Sequence, residues 1–178
     1  MIKEYLRNLS ELLENLPEQR IEELVQLLQD VRDRGGTVFV FGNGGSATTA
    51  SHFACDLLKG TARKGAPSFR VMTLHDLATF TAYGNDSGYE SVFAEPLKSL
   101  GRPGDIAIGV SCSGNSENVL HAMDIAHELN MQAVGLTGSQ GGKLKNKVDL
   151  CIIIPSEDMQ HIEDAHHIIF HAIFKEFL

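Results

Sequence analysis

Histidines and carboxylates recur at helical spacing in two segments of this chain. His52 and Asp56 are four residues apart, and Glu163, His167 and His171 follow an i, i+4, i+8 pattern. Side chains four residues apart share one face of a helix, so each set could reach a common ion. Imidazole and carboxylate groups suit a divalent metal such as zinc, and they could also exchange protons near neutral pH. Spacing alone leaves both roles open, with a solvated or capping pair as the simpler interpretation of His52 and Asp56.

Two segments rich in glycine and serine follow short apolar runs. The first is GNGGS (42–46) and the second is SCSGNS (111–116). Glycine lets a backbone approach an anion closely, and serine adds hydroxyl donors, here Ser46, Ser111, Ser113 and Ser116. Neither segment is a Walker A sequence or has the GxGxxG spacing of dinucleotide-binding loops. We therefore predict a phosphate cradle without lysine, with a plain strand-to-helix turn as the alternative at either segment.

Polar residues between these two segments give weaker signals. Asp76 follows the apolar run at 69–74, which predicts a helix with Asp76 near its N-cap, although His75 and Asp76 could also border a cleft. The GND sequence at 84–86 is typical of a turn. Asn85 and Asp86 could equally hold sugar hydroxyls.

A parallel sheet is needed to bring these residues together. Short apolar runs alternate with helical segments along the chain, at 37–41, 69–74, 105–110, 132–137 and 149–154. This alternation predicts parallel βαβ units in an α/β protein, a three-layer α/β/α sandwich around a five-stranded sheet. Ligands of such sheets bind beyond the carboxyl ends of the strands, where helix N-termini face the cleft. Both glycine-rich segments are expected at that edge.

Residues 1–34 form a separate pattern. Their apolar residues are spaced by three and four and lie on one stripe of each of two helices, with a break at Pro17. Two long amphipathic helices ahead of the first strand exceed what a small sheet needs. We expect residues 1–34 to help build a subunit interface.

Composition limits the class of protein. The chain has 178 residues, 43% of them hydrophobic, which predicts a single domain over 1–178. Its 15 basic and 23 acidic residues give a net charge of −8, so no nucleic-acid partner is expected. The cysteines show no CxxC pairing and are predicted to be free thiols in a reducing compartment. The charged N-terminus and the lack of a long apolar stretch predict a soluble, cytoplasmic protein with no membrane partner.

Five ordered segments resemble the sugar isomerase (SIS) domain family, and most closely its phosphoheptose isomerase branch. They are FGNGGSATTASHFACDLL (41–58), YGND (83–86), GDIAIGVSCSGNSENVL (104–120), GLTGSQGGKL (135–144) and HIEDAHHIIFH (161–171). The resemblance covers nearly the whole chain and implies the SIS fold. It also implies a homotetramer with active sites shared between subunits, and interconversion of sedoheptulose 7-phosphate and D-glycero-D-manno-heptose 7-phosphate.

The resemblance assigns roles to residues. It implies substrate binding by Asn43, Gly44, Gly45, Asn85, Asp86, Ser111, Cys112, Ser113 and Ser116. We predict that Ser46, Asp56 and Glu163 also bind the substrate. It implies one Zn²⁺ per subunit, and its metal-binding positions are His52, Asp56, Glu163 and His171, which selects His171 over His166 and His167. The implied reaction passes through a cis-enediol, with Asp56 as the base and His171 as the acid or a metal ligand.

Three residues depart from the family pattern. The family normally has glutamate at Asp56, glutamine at Glu163 and threonine at Cys112. A shorter base, an added negative charge and a lost hydroxyl could all change substrate preference. Two alternatives therefore accompany the main hypothesis: an isomerase of another phosphosugar in a specialised pathway, and a non-catalytic SIS protein such as a regulator that binds a replication initiator. The presence of both Asp56 and His171 favours an enzyme.

Overall fold

The computed structural model describes residues 1–63, 65 and 67–178. Within them, five parallel strands form one sheet in the order β2-β1-β3-β4-β5. The strands are β1 (Thr37–Gly42), β2 (Arg70–Thr73), β3 (Ile106–Val110), β4 (Gln132–Gly138) and β5 (Leu150–Ile154). The α-helices are α1 (Ile2–Leu13), α2 (Glu18–Asp33), α3 (Gly45–Cys55), α4 (Leu77–Asp86), α5 (Ala94–Leu100), α6 (Glu117–Glu128) and α7 (Met159–Lys175). Each predicted strand agrees with an observed strand to within one residue at either end.

Helices cover both faces of the sheet. Successive residues of a strand point to opposite faces, so Val38 and Val40 of β1 enter one core, formed with α2, α3 and α7. Phe39 and Phe41 enter the other core, formed with α5 and α6. Burial on both faces explains why the strands are continuous apolar runs. The predicted three-layer α/β/α sandwich is confirmed.

The two glycine-rich loops lie next to each other at one edge of the sheet. β1 pairs with β2 on one side and with β3 on the other, so the chain reverses its direction of winding at β1. Ligands of open α/β sheets bind at such a crevice. Gly42 and Val110 are register partners at the carboxyl ends of β1 and β3, which places the loops 42–46 and 111–116 side by side.

The N-terminal helices have different roles in the fold. Leu24 and Leu28 of α2 are fully buried against the sheet, so α2 belongs to the domain core. By contrast, α1 leaves Ile2 and Leu6 exposed. It is joined to α7 by Tyr5, whose hydroxyl donates a hydrogen bond of 2.5 Å to Asp164 Oδ2. That hydrogen bond is the main cause that raises the pKa of Tyr5 to about 12. A subunit interface at residues 1–34 stays a prediction.

The two ends of α4 test two predictions, of which the first is confirmed and the second is wrong. Asp76 is the N-cap of α4, and its Oδ1 accepts a hydrogen bond of 2.9 Å from the Thr79 backbone N–H. Such a cap satisfies one of the donors left open at a helix start. The GND sequence at 84–86 is the last turn of α4 and not a separate turn.

The described helices include none with the length and apolar character needed to cross a membrane. The longest of them, α7, has 17 residues and carries Glu163, Asp164 and Lys175.

Candidate active site

Helices α3 and α7 pack side by side and run in the same direction. Gly45, the first residue of α3, faces Glu163 in the second turn of α7. Further along, the rings of Phe53 and Phe170 stack with centroids 4.0 Å apart and planes inclined by 7°. Later residues of α3 therefore face later residues of α7. This packing brings the histidines of the two helices together.

His52, Asp56 and His171 form a compact triangle of potential ligand atoms. Asp56 Oδ2 lies 3.6 Å from His52 Nε2 and 3.7 Å from His171 Nε2, and the two nitrogens are 3.3 Å apart. Asp56 Oδ2 is buried and has no hydrogen-bond partner among the described residues. Tetrahedral zinc ligands, at about 2.0–2.1 Å from the ion, are about 3.3 Å from one another. The structure therefore brings together three of the four predicted metal ligands in a suitable arrangement.

A third imidazole adjoins this triangle. One ring nitrogen from each of His52, His167 and His171 lies within 4.8 Å of the other two. The centroid of the His167 ring is 4.7 Å from that of His52 and 4.5 Å from that of His171. Burial, together with these two histidines, lowers the pKa of His167. The i, i+4 spacing of His167 and His171 was a signal in the sequence, but the family resemblance selected His171 alone.

Glu163 faces the first turn of α3 instead of the histidines. A Cβ at Gly45 would lie 2.7 Å from Glu163 Oε1 and 2.9 Å from Oε2. The same carboxylate is close enough to Cys112 to contribute to a raised thiol pKa, after the larger effect of burial. A carboxylate at a helix N-terminus is electrostatically favourable. The structure does not bring Glu163 to His52, Asp56 and His171.

The regular α-helix ends at the predicted base. A π-helical segment, Asp56–Gly60, follows α3 directly. At its end Gly60 packs so closely on the Phe174 ring that an added Cβ would lie 2.7 Å from it. Short π-helical turns are rare and occur frequently at functional sites. The change in helix type therefore coincides with the residue that the sequence analysis chose as the base.

Asn43 in the first loop is held in one orientation by its neighbours. Its amide exchanges two hydrogen bonds of 2.9 Å with the amide of Asn118, which is buried at the start of α6. The Tyr89 hydroxyl donates a further 2.9 Å bond to Asn43 Oδ1. Sequence reasoning missed Asn118 and Tyr89. A polar residue next to the apolar Val119 and Leu120 was the one signal in the sequence that Asn118 could be a buried functional residue.

The second loop gathers hydroxyl groups ahead of α6. Ser111 Oγ and Ser116 Oγ are 3.0 Å apart, and Ser113 Oγ accepts a 3.2 Å bond from the Asn115 backbone N–H. Ser116 is the N-cap of α6, but its side chain makes no capping bond with the helix. The first N–H groups of a helix lack partners within it. The arrangement fits an anion. Cys112 Sγ, 3.9 Å from Ser46 Oγ, links this loop to the first.

The chain after β4 supports the second loop from behind. Gly142 has a φ of +54°, and a Cβ there would collide with the carbonyl oxygen of Ser113. The Lys143 backbone N–H donates 3.1 Å to Asn115 Oδ1, and its ammonium group donates 2.7 Å to Glu117 Oε1. A lysine thus stands beside the cradle that was predicted to lack one, and it is paired with Glu117. No pattern in the sequence indicated this packing.

Asn85 and Asp86 lie at the exposed end of α4, where Asn85 Nδ2 donates a 2.7 Å bond to Asp86 Oδ1. A cavity of about 270 Å³ lies between α4 and the first loop. Its lining includes Asn43, Gly44, His75, Leu77, Phe80 and Tyr89. His75 Nε2 is 3.1 Å from the Gly42 carbonyl oxygen, and burial lowers the pKa of this histidine. His75 therefore borders a cleft, as one of the two sequence interpretations proposed.

Comparisons with known proteins agree with this geometry. Residues 4–138 match the family model described as SIS domain. The phosphoheptose isomerase of Helicobacter pylori strain P12 is 39% identical over 176 residues, which cover 96% of this chain and 90% of that protein. The structure of a phosphoheptose isomerase from Francisella tularensis superposes with a TM-score of 0.92 at 33% identity, covering 99% of this chain and 95% of the other. For the Neisseria gonorrhoeae phosphoheptose isomerase the TM-score is 0.89 at 29% identity, with coverages of 99% and 98%. The chain therefore belongs to the SIS domain family, in its phosphoheptose isomerase branch.

Proposed function

We propose that this chain is a phosphosugar isomerase that interconverts sedoheptulose 7-phosphate and D-glycero-D-manno-heptose 7-phosphate. Relatives named phosphoheptose isomerase, at up to 40% identity over most of the chain, support this substrate pair. Within the chain, one observation carries the proposal. The Asp56 carboxylate lies 3.6 and 3.7 Å from the imidazoles of His52 and His171, at the end of the helix that follows the first loop.

The Asp56 carboxylate can serve as the base because only one of its two oxygens faces the histidines, and the other can accept a proton. Oδ2 faces the two histidines, which leaves Oδ1 to take a proton from carbon and return it to the neighbouring carbon. His171 is either the acid that donates a proton to the sugar oxygen or a ligand of the metal ion inferred below. Exchange of protons between C1 and C2 is the step that converts a ketose into an aldose.

The second loop is the better site for the substrate phosphate. Ser111, Ser113 and Ser116 offer hydroxyl donors ahead of the α6 N-terminus, where backbone N–H groups attract anions. The Glu163 carboxylate faces the start of α3 and would repel a second anion there. Phosphate binding at the second loop would anchor the far end of the sugar and so position its reacting carbons.

We infer that the same site holds one divalent metal ion per subunit, with Zn²⁺ as the ion that imidazole and carboxylate donors suit well. The 3.3–3.7 Å spacing of the ligand atoms and the unpartnered, buried Asp56 Oδ2 support this fit. When bound, such an ion supplies Lewis-acid polarisation of a carbonyl oxygen.

We further propose that the protein acts in the cytoplasm as a homotetramer with shared active sites. Exposed Ile2 and Leu6 on α1 and exposed Leu77 on α4 support an interface, since such residues gain from burial against another subunit. Light scattering on the purified protein measures the assembly directly, and a monomeric mass contradicts this proposal.

The central test is turnover of sedoheptulose 7-phosphate in D₂O, followed by NMR. We expect the heptose 7-phosphate with deuterium at C2, since a proton held by a carboxylate exchanges with solvent. Asp56→Ala should abolish turnover while phosphosugar affinity stays within about tenfold, because the phosphate contacts lie elsewhere. Wild-type kcat in Asp56→Ala would show that Asp56 is not the base. A folded wild-type protein that binds the sugar phosphate without converting it would contradict the proposed reaction and point to another phosphosugar or a binding protein.

A further inference from the structure

A pair of side-chain amides joins the first loop to the start of α6, and its hydrogen bonds have a fixed direction. Asn118 is buried and lies two residues after Ser116. Its Oδ1 accepts a 3.0 Å hydrogen bond from the Val119 backbone N–H and a 2.9 Å bond from Asn43 Nδ2. Because a backbone N–H can only donate, the oxygen of the Asn118 amide must face it. The nitrogen of that amide is therefore directed at Asn43 Oδ1, 2.9 Å away.

The amide pair also fixes the direction of the hydrogen bond made by Tyr89. Asn43 Oδ1 accepts one hydrogen bond from Asn118 and a second, of 2.9 Å, from the Tyr89 hydroxyl. A carbonyl oxygen has two lone pairs, and both are then in use. The single proton of the Tyr89 hydroxyl is committed to Asn43, so the hydroxyl oxygen can only accept a further hydrogen bond. Asn43 keeps one amide N–H that can still donate.

Tyr89 and Asn43 both line the cavity of about 270 Å³ between α4 and the first loop. The Tyr89 ring makes an edge-to-face contact with Phe80, with ring centroids 5.7 Å apart and planes inclined by 79°. Leu77 and Phe80 give the cavity apolar walls. Apolar walls with a few placed polar groups are typical of small-molecule sites. A sugar fits this combination, because its C–H groups can contact the walls while its hydroxyls donate to Tyr89 and accept from Asn43.

We propose that Tyr89 is a specificity-determining residue whose hydroxyl oxygen accepts a hydrogen bond from a hydroxyl of the sugar chain, and that Asn118 is a positioning residue that acts through Asn43. This inference rests on the proposed function, because it takes a sugar phosphate as the substrate. The amide pair joins the start of α6, next to the proposed phosphate site, to a residue that lines the cavity. One sugar phosphate can therefore contact both places.

Calorimetric titration of the full-length protein with sedoheptulose 7-phosphate, and separately with inorganic phosphate, tests the inference. Tyr89→Phe removes only the hydroxyl. It should weaken sedoheptulose 7-phosphate binding by about fivefold, the effect of one neutral hydrogen bond, and leave inorganic phosphate binding within about twofold. Damage to the fold of the loops would weaken the binding of both. Tyr83→Phe, which removes a hydroxyl from a partly buried tyrosine of α4, is the matched control and should leave both affinities within about twofold.

A double-mutant cycle tests the role of Asn118. Asn118→Ala should weaken sedoheptulose 7-phosphate binding by about tenfold, since it releases both Asn43 and the Tyr89 hydroxyl. Adding Tyr89→Phe to this variant should weaken binding by no more than about a further twofold, because the hydroxyl has already lost its orientation. Thermal unfolding verifies that Asn118→Ala folds. If it does not fold, Tyr89→Phe alone decides the proposal.

The titrations separate this inference from the proposed reaction, because affinity is measured apart from turnover. Unchanged sedoheptulose 7-phosphate affinity in Tyr89→Phe, or equal losses for the sugar phosphate and inorganic phosphate, would overturn the inference. In a folded Asn118→Ala, effects of the two substitutions that simply multiply would overturn the positioning role. A wild-type chain that binds sedoheptulose 7-phosphate through Tyr89 without converting it contradicts the proposed reaction and supports the inference.

Discussion

Lengthening the predicted base should impair this enzyme, although the resemblance leads one to expect glutamate at that position. Asp56→Glu adds one carbon–carbon bond, about 1.5 Å. Asp56 Oδ2 already lies 3.6 and 3.7 Å from two imidazole nitrogens that are themselves 3.3 Å apart, so the site is matched to the shorter side chain. A longer carboxylate must fold back or displace a histidine.

The expected cost follows from that displacement. A misplacement of about 1 Å in a reacting group can reduce the rate on the order of a hundredfold, equivalent to about 2.7 kcal/mol in the activation barrier. Torsional adjustment of the longer side chain recovers part of this loss. We therefore expect kcat to fall by about 10- to 100-fold, with KM nearly unchanged because the phosphate is bound by the second loop.

Steady-state kinetics with sedoheptulose 7-phosphate, at saturating Zn²⁺, measures this change. Asp33→Glu is a matched control, since Asp33 is exposed at the end of α2 and contacts only surface partners there, a 2.8 Å hydrogen bond from Gln29 and Arg32 Nε at 3.8 Å. Thermal unfolding of both variants verifies that they fold. An Asp56→Glu variant as active as the wild type, or more active, would refute the argument that the histidine triangle is matched to aspartate.

Three further predictions concern the phosphate loop and the core. Ser116→Ala should raise KM by roughly tenfold or more, because it removes one hydrogen bond to a charged group, and should leave kcat nearly unchanged. An unaltered KM would show that Ser116 does not bind the phosphate. Gly142→Ala should also raise KM, since its Cβ must push the Ser113 backbone aside, and unchanged sugar-phosphate affinity by calorimetry would contradict this. Burial lowers the pKa of His166 to about 4. Between about pH 6.5 and 4, the His166 imidazole is therefore protonated in the unfolded chain but neutral in the folded chain. The free energy of unfolding falls as the pH falls through that range. Urea denaturation should show about 2 kcal/mol of this loss between pH 7 and 5, and its persistence in His166→Phe would exclude His166 as the cause.

Much of the fold could be predicted because its signals are local. Buried strands such as β3 are short runs of apolar residues, and the helices around them repeat at 3.6 residues. The Asp76 cap is likewise a local property, since it depends on a bond to Thr79 three residues later. These features need no knowledge of how distant segments meet.

The site could be predicted only in part, because it depends on packing between distant segments. Sequence spacing grouped His52 with Asp56 and Glu163 with His167 and His171, and the family resemblance selected His171. The position of Glu163 depends on the register between α3 and α7, which spacing does not reveal. Asn118 meets Asn43 across 75 residues, and Gly142 lies against the backbone of Ser113 and Gly114 in the second loop. No local pattern encodes either contact.

The packing of α3 against α7 also links the stability of the chain to its ligands. His52 and His171 are 119 positions apart in the sequence yet in contact in the fold. Any ion or substrate that bridges the two helices closes a very long loop and binds only the folded chain. Such a ligand at a hundredfold excess over its Kd adds about 2.7 kcal/mol to the free energy of unfolding. The thermal unfolding midpoint of this protein therefore depends on the free ligand concentration as well as on the sequence. Variants must be compared at the same free ligand concentration.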